Sequence, residues 1–415
     1  MAQKWFRSRG YKHFDRPVCE KFAEKVTDPT FVGSHSFSPL IHYEKSEKRY
    51  KRRLKKTILK DRPIMYASHR DACILSYYSS IVSQLLDDHY KKVGIEENVI
   101  AYRRLGRGNY HFSAEAFAFA QANAPVVILA FDVTGFFDNL NHALLKQRLK
   151  KLLGVKSLSK DWFSLYRYIT KFHYVELADL QKKEPFATAL KAHGQDPIGT
   201  IAEIKMAGIK FHKNRNFNAG IPQGTPISAT LSNLYMIDFD EAVARYCDTI
   251  QAFYRRYSDD ILVICKPHQA IDVEEQIAKL MSNEKLTLSV EKTEKTNFSS
   301  FAAPDRPAQY LGFNLQIDGA SIRPSSLSRQ WRKMKRAFKR TRAAGEKAIA
   351  HGTATKVYTK RLRRRFTPLQ FRNFSSYGRR CAAAFAGNKK IIKQIRRFER
   401  EAARQLTELE KLGSP

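Results

Sequence analysis

The spacing of apolar residues predicts helices and a strand along the first part of the chain. Apolar positions recur at the helical period over 68–91, 113–122 and 142–153. Between the last two segments, a continuous apolar run at 126–131 predicts a buried strand that ends at Asp132.

The second part of the chain continues this mixture and then becomes helical. Helices are predicted at 228–245 and 274–281, and two short strands around a polar tip are predicted at 251–265. Another strand is predicted at 310–317, and residues 327–412 have a mostly helical and basic pattern. This order predicts an α+β core followed by a helical C-terminal domain.

The charge is large and uneven. The net charge is +34, and residues 321–400 contain 25 Lys and Arg against two acidic residues, a net of +23. A surplus of this size indicates a polyanionic partner, although a basic run is also typical of a solvated helix face or a localisation signal. No apolar run approaches the ~20 residues of a membrane-spanning helix, so we expect nucleic acid rather than a membrane.

The start of the chain and its five cysteines indicate the cellular compartment in which the protein is expected. The first residues are polar, without the apolar segment of a secretory signal, and the cysteines show no CxxC pair or zinc spacing. We therefore expect a protein of a reducing cytoplasm.

Two groups of acidic residues are candidates for metal chemistry. Asp132 ends the apolar strand, and Asp259 and Asp260 interrupt two apolar stretches at the predicted hairpin tip. A lone Asp-Asp pair is usually ordinary turn chemistry. If the hairpin lies beside the end of the other strand, Asp132 and Asp259 share a pair of divalent cations, as nucleotidyl transfer requires.

A turn rich in Gly and Pro lies between these acids, at 218–228, and leads into a helix. Such a backbone allows close approach to a planar base pair, although most turns of this kind have no catalytic role.

With this turn in place, the ordered motifs resemble those of reverse transcriptases. The resemblance extends from about 62 to 313 and continues more loosely to the end. Its motifs are Asp132 with Phe137, Pro222-Gln223-Gly224 with Ser228, Leu231-Ser232-Asn233, Tyr257-Ser258-Asp259-Asp260, Lys292-Thr293 and Tyr310-Leu311-Gly312-Phe313.

The resemblance implies a right-hand polymerase fold with fingers, a palm and an α-helical thumb, the palm being an antiparallel sheet with helices. We expect a basic N-terminal extension at 1–60, fingers at 61–125, a palm at 126–317 and a basic helical thumb at 318–415. Some fingers elements are expected within 154–215.

The resemblance also implies the residues of the catalytic centre. Asp132 and Asp259 are expected to bind two Mg²⁺ ions, with Mn²⁺ able to substitute, while Asp260 supports the site and Val133 lends its carbonyl oxygen. Lys292 is expected to assist the departure of pyrophosphate, although a solvated surface lysine is an open alternative.

The substrate-binding residues implied by the resemblance belong to three groups. Phe137 is the expected steric gate against a ribose 2′-hydroxyl, with a core aromatic as the alternative. The other nucleotide-binding residues are expected to be Lys60, Arg62, Arg103, Gln223 and Gly224. The residues that bind primer and template are expected to be Leu311, Gly312, Arg323, Arg332 and Lys335.

The differences from the family pattern indicate which group of reverse transcriptases the chain resembles. Ser258 replaces the alanine of many members, and no endonuclease cluster or second set of spaced acids follows the thumb. The chain resembles the stand-alone, type 2 bacterial reverse transcriptases of antiphage defence, which implies dNTPs, a structured noncoding RNA template and a cDNA product. A non-catalytic, maturase-like RNA-binding protein and an RNA-synthesising polymerase are the alternatives, and the oligomeric state stays open.

Overall fold

The fold is described from a computed structural model, in which residues 5–51, 56–299 and 306–412 are defined. Within these residues, helices α1–α16 are, in chain order, Glu20–Lys25, Pro29–Ser34, His69–Lys92, Asn109–Asn123, His142–Leu153, Lys160–Thr170, Leu177–Lys182, Phe186–Lys191, Ile201–Met206, Ser228–Tyr235, Ile237–Thr249, Ala270–Asn283, Pro324–Ala350, Lys360–Phe366, Phe374–Ala384 and Lys389–Glu410. Strands β1–β13 are Leu40–Glu44, Glu47–Lys51, Lys56–Lys60, Pro63–Tyr66, Val126–Asp132, His173–Glu176, His212–Lys213, Phe253–Tyr257, Asp260–Cys265, Glu294–Phe298, Ala308–Tyr310, Phe313–Gln316 and Gly319–Ile322.

The central sheet has the strand order β10-β5-β9-β8 and is antiparallel throughout. Its strand β5 is buried over most of its length, because its apolar run packs on both faces of the sheet. Residues on one face, such as Leu129 and Val263, join the main core with helices α3, α5, α10, α11 and α12. The predicted strand at 126–131 and the predicted hairpin at 251–265 are therefore confirmed.

A second sheet, of order β4-β1-β6-β7, combines β1 from the expected N-terminal extension with β4 from the expected fingers and with β6 and β7 from 154–215. Strand β1 pairs antiparallel with β4 and parallel with β6, so residues before 60 and residues after 170 share one sheet. Segment 154–215 contains helices α6–α9 and strands β6 and β7. Its elements are mostly short, and their apolar residues gather in a small separate core around Ile41, Val175 and Phe186. The proposed domain boundaries stay a prediction.

Two predicted elements differ from the structure. The helix expected at 228–245 is divided at Met236 into α10 and α11. The strand expected at 310–317 is two strands, β11 and β12, joined by a turn at Leu311 and Gly312. Both turn residues have positive φ, 44° and 94°, so the chain reverses within a stretch whose composition alone favours a single strand.

The C-terminal helices α13–α16 are rich in basic residues, as the sequence indicated. Helix α16 buries one face, comprising Ile391, Ile395, Phe398, Ala402, Leu406 and Leu409. From Phe398 onwards this face packs against α13 and α14, including Met334, Phe338 and Phe366. Ile391 and Ile395 belong instead to the core that contains Phe313 of β12. None of the helices in the described ranges has the length and apolar character needed to cross a bilayer.

Candidate active site

The strand register brings the predicted acidic residues to one edge of the central sheet. Asp132, the last residue of β5, lies directly opposite Asp260, the first residue of β9. Asp259 belongs to the tight turn between β8 and β9, next to Asp260. The sheet therefore brings three carboxylates together at one edge, although Asp132 precedes Asp259 and Asp260 by 127 and 128 positions in the sequence.

The electrostatics of this edge reflect the crowding of like charges. Protein atoms surround most of the Asp260 carboxyl group, although part of the residue is exposed to solvent. Burial, followed by repulsion from Asp259 and Asp132, raises the pKa of Asp260 to about 6, while Lys292 and Arg323 oppose this shift. The net effect disfavours the ionised form of Asp260, and a nearby positive charge reduces this effect.

Lys292 lies at the edge of the cluster, in a short 3-10 turn at Val290–Lys292. Its Nζ atom contacts Oδ1 of Asp132, and both side chains remain partly exposed. Backbone hydrogen bonds hold the segment in place: Ser289 N–H donates to the Asp132 carbonyl oxygen at 2.7 Å, and Thr134 N–H donates to Thr287 at 2.9 Å. The structure therefore brings Lys292 to the predicted catalytic aspartate.

The donor set suits a hard divalent cation. Carboxylate oxygens are the ligands that Mg²⁺ prefers, and their mutual repulsion is relieved by a bound cation. Over the described ranges, no three His, Cys, Asp or Glu side chains already form a closed metal-binding group. Val133, whose carbonyl oxygen was expected to contribute, is buried beside Asp132 and bridges to Leu288.

A buried ion pair beneath the turn was missed at the sequence level. Arg256 is fully buried and makes a bidentate contact with Asp240, through Nε and Nη2 at 2.7 and 2.6 Å. Its Nη1 donates to the carbonyl oxygen of Ser258 at 3.0 Å and to Oδ1 of Asn233 at 3.3 Å. A signal was present, because strand alternation places Arg256 on the same inward face as Tyr254, and a buried arginine requires an acidic partner.

Ser258 also connects the turn to the loop that follows α3. Its backbone has a positive φ of 61°, and its hydroxyl lies 3.0 Å from the Tyr102 hydroxyl. The loop is fixed to β8 by reciprocal backbone hydrogen bonds, from Arg256 N–H to Asn98 and from Ile100 N–H to Arg256. The turn that contains Ser258 and Asp259 is therefore supported from below by Arg256 and from the side by Tyr102.

The Gly/Pro turn before α10 is held between two parts of the protein. A Cβ atom at Gly220 would lie 2.9 Å from the Asp138 carbonyl oxygen, and one at Gly224 would lie 2.7 Å from the Met65 carbonyl oxygen. Both glycines also have positive φ. The Gln223 carbonyl oxygen accepts a hydrogen bond from Met65 N–H at 2.8 Å, so the turn joins the palm region to β4.

Phe137 lies next to this turn. Its carbonyl oxygen accepts a hydrogen bond from Ile221 N–H at 2.9 Å, and its ring packs 5.5 Å from that of Phe136. The residue is only partly buried, unlike Phe136, which is 4% exposed. The two adjacent aromatics therefore differ, with Phe136 in the core and Phe137 at its boundary.

The cations expected from the fingers have different environments. Arg62 is partly exposed beside the start of β4, and the side chain of Lys60 lies outside the described residues. Arg103 is 7% exposed; its guanidinium binds Asp87 Oδ1 at 2.6 Å and the Val99 carbonyl oxygen at 2.7 Å. Its side chain thus has partners within the protein, and its expected nucleotide-binding role stays a prediction.

The residues expected to bind primer and template lie in the turn between β11 and β12 and in the segment that runs from Arg323 through the first part of α13. The Leu311 carbonyl oxygen accepts from Asn109 Nδ2 at 2.7 Å, and the Gly312 carbonyl oxygen accepts from Arg323 N–H at 2.9 Å. Arg323 immediately precedes α13, which also presents the exposed side chains of Arg332 and Lys335. Arg323 is close enough to Asp260 to lower the pKa of that carboxyl group, against the larger effects that raise it.

Comparison with known sequences gives a family match. A family model described as reverse transcriptase (RNA-dependent DNA polymerase) matches residues 54–315, which is more than half of the chain. The matched segment includes the sheet edge with the three aspartates, the Gly/Pro turn and the turn at Leu311. None of the curated protein sequences matches the chain.

Solved structures with a similar course of the chain include two telomerases. Telomerase from Candida albicans in complex with a TWJ fragment of telomeric RNA aligns with a TM-score of 0.47 and 12% identity, over 95% of this chain and 59% of the other. Apo telomerase from Candida tropicalis, truncated from the C-terminal domain, aligns with a TM-score of 0.45 and 12% identity, over 76% and 63%. The chain spans less than two thirds of the length of either telomerase.

Proposed function

We propose a reaction and its catalytic residues for this chain, which belongs to the reverse transcriptase family of RNA-directed DNA polymerases. The α+β, right-hand polymerase fold expected from the motifs is confirmed by this assignment. The proposed reaction is the templated addition of deoxynucleotides to a primer 3′-hydroxyl, with RNA as the template. The observation that supports it best is the register that places Asp132 opposite Asp260 and beside Asp259.

Asp132 and Asp259 are proposed to hold two Mg²⁺ ions, with Asp260 and the Val133 carbonyl oxygen in support. When bound, the ions activate the primer hydroxyl and neutralise the triphosphate. The protein contributes the fixed positions of the carboxylates, which the paired strands β5 and β9 and the Arg256 contact to the turn maintain. Mn²⁺ has the same preference for oxygen ligands and is expected to substitute.

The substrate roles follow from the neighbours of this edge. Lys292, which contacts Asp132, is proposed to stabilise charge on the departing pyrophosphate. Phe137 is proposed to lie against the sugar of the incoming nucleotide and to reject a 2′-hydroxyl. Gln223 and Gly224 are proposed to border the base pair, because their turn is held against both β4 and the segment that contains Phe137.

The wider role is proposed from the resemblance to stand-alone bacterial enzymes. We propose that the chain acts in the bacterial cytoplasm and copies an associated, structured noncoding RNA into cDNA during antiphage defence. The thumb surplus of +23 supports a lasting association with RNA. The priming group and the oligomeric state are not part of the proposal.

The test of the reaction is incorporation of dNTPs on an RNA template with a DNA primer. Asp259→Asn and Asp260→Asn keep the size of each side chain and remove its charge. We expect Asp259→Asn to lose at least about a hundredfold in rate, by analogy with removal of a single preorganised electrostatic contact. The exposed Asp248, at the end of α11, provides the matched control Asp248→Asn.

Two outcomes would favour other functions. Tight RNA binding by the parent protein, without incorporation under any template or metal condition, would favour the non-catalytic alternative. Equal use of rNTPs and dNTPs would favour RNA synthesis. Unchanged synthesis by the Asp259 variant would remove the catalytic assignment itself.

A further inference from the structure

The thumb contains a positively charged concave surface whose residues have no individual role in the proposed function. It lies between α13, α14 and the segment that begins α15, and it encloses about 410 Å³. We call it the α14 cleft. Its cations are Lys333, Arg361, Arg364, Arg365 and Arg372, and none of the described residues that line it is acidic.

The cations of the α14 cleft lack acidic partners. Within the described ranges, none of the five forms an ion pair, whereas Arg363 of the same helix binds Glu410. The segment 351–373 contains seven Lys and Arg and no Asp or Glu. Several like charges around one concavity repel each other, and an anion placed among them relieves that repulsion.

The α14 cleft is built on a fixed floor. Leu362 and Phe366 turn inward from α14 into the thumb core, and the Phe366 ring lies 5.8 Å from that of Phe338. Asn373 Nδ2 donates to the carbonyl oxygens of Arg364 and Thr367, which closes the far wall. The charged side chains therefore extend from a rigid backbone, which lowers the entropic cost of binding a ligand.

An exposed aromatic ring lies beside the cleft in the same segment. Phe371 precedes Arg372 and is 74% exposed. Its carbonyl oxygen accepts from Arg380 Nη1 at 2.9 Å, and the Arg380 guanidinium lies 4.7 Å from the ring centroid. The backbone of Phe371 is therefore held while its ring remains accessible, which is the arrangement that base stacking needs.

We propose that the α14 cleft binds an unpaired segment of a nucleic-acid strand, with its phosphates among Arg361, Arg364 and Arg372 and a base stacked on Phe371. A volume of about 410 Å³ suits a nucleotide-sized group, whereas a duplex presents a broad surface with its bases already stacked. RNA and DNA share this chemistry. RNA is tested first because the proposed function uses an RNA template. This order of testing is the only part of the proposal that rests on the proposed function.

The first experiment measures equilibrium binding without dNTPs or divalent metal. The probes are labelled oligouridylate, oligodeoxythymidylate of the same length, and a blunt RNA duplex. The cleft variant is Arg364→Gln with Arg372→Gln. Its charge-matched control is Arg396→Gln with Arg397→Gln, because these two arginines are exposed on α16 and form no ion pair with any other described residue.

The cleft variant is expected to bind a single strand about tenfold more weakly than the control does. Losing two phosphate contacts should also reduce the slope of log K against log salt by roughly 1.4, at ~0.7 for each phosphate. Weaker binding of the cleft variant to the RNA probe, the DNA probe or both would support the proposal. The probe that is affected identifies the kind of strand that the cleft binds. Equal losses for the cleft and control variants, or an equal loss on the duplex, would overturn the proposal.

The second experiment tests the ring. Phe371→Ser is expected to weaken single-strand binding about tenfold, in line with the loss of one stacked base. Leu369→Ser is the control, because Leu369 is also 74% exposed and lies two residues away. Comparable binding by these two variants would exclude stacking on Phe371. Circular dichroism of each variant verifies folding. A parent protein that binds single strands without incorporating dNTPs would contradict the proposed function and would leave the proposal for the cleft intact.

Discussion

The guanidinium of Arg256 donates a hydrogen bond to the carbonyl oxygen of Ser258 at 3.0 Å, directly below the turn with the two adjacent aspartates. The same guanidinium is neutralised by Asp240, whose Oδ1 also accepts from the Tyr254 hydroxyl at 2.6 Å. Both charged side chains are fully buried. The position of the catalytic turn thus depends on an ion pair that does not itself reach the sheet edge.

Arg256→Met should therefore destabilise the protein strongly. Removing one partner of a buried pair leaves Asp240 charged and uncompensated, at a cost of about 3–5 kcal/mol in the free energy of unfolding. Denaturant unfolding measures this loss, and incorporation should fall because the turn loses its support. The double variant with Asp240→Leu should be less destabilised than the sum of the two single variants.

Arg245, which is exposed on α11, provides the control. Arg245→Met should change stability by less than about 0.5 kcal/mol. An Arg256 variant as stable as this control would show that the pair does not support the turn.

The hydrogen bond between Ser258 and Tyr102 predicts a smaller loss of stability, which should be similar when either hydroxyl is removed. Ser258→Ala and Tyr102→Phe each remove the same contact, so each should cost about 0.5–1.5 kcal/mol. Incorporation should stay within about tenfold of the parent, since alanine occupies this position in many related enzymes. Steady-state kinetics of the two single variants and the double variant measure the effect. A double variant that loses the sum of both single losses would mean that the hydroxyls act independently.

The sequence predicted the elements that have strong periodic patterns. The helix expected at 142–153 has these bounds in the structure, with Asn141 as its N-cap, and the strand at 126–131 is extended by one residue. The acidic cluster was also predictable, because a hairpin tip and a strand end are local features whose pairing follows from an antiparallel sheet.

The remaining differences arise from tertiary contacts. The partners of Arg103 were not predicted, because Asp87 and the Tyr90 ring, which contact its guanidinium, are not adjacent to it in sequence. The turn at Leu311 adopts positive φ because Asn109 and Arg323 bind its carbonyl oxygens from other elements. No local pattern contains such partners.

The two adjacent phenylalanines predict different consequences of substitution. Phe137→Ala should admit rNTPs, and the ratio of kcat/KM for dNTP over rNTP should fall by about tenfold or more, as expected when a pocket wall is removed. Phe136 is 4% exposed and belongs to the main core, so Phe136→Leu should lower stability by about 1 kcal/mol and preserve the ratio. Competition between rNTPs and dNTPs measures both variants. Unchanged discrimination by Phe137→Ala would return Phe137 to the status of a core aromatic.

The fully buried His13 predicts a pH dependence of stability in the N-terminal region. The Phe14 N–H donates to its Nδ1 at 2.8 Å, while its Nε2 lies 3.3 Å from the Tyr66 carbonyl oxygen. A proton on Nδ1 would break the first contact. Burial lowers the pKa of His13 to about 3, with His69 adding to the decrease and Asp15 and the Tyr66 carbonyl oxygen opposing it.

Because the folded pKa is below the ordinary value of 6.5, the unfolded chain binds a proton more readily as the pH falls. The stability that neutral His13 contributes is therefore complete above pH 6.5 and is lost as the pH falls towards about 3. In His13→Gln, the amide side chain can still accept and donate hydrogen bonds, but it cannot become protonated. Its free energy of unfolding should thus decline less than that of the parent between pH 7 and pH 4.5, as measured by denaturant titration. Parallel declines for the two proteins would assign the acid sensitivity to other groups, such as the neighbouring pair of His69 and Asp15.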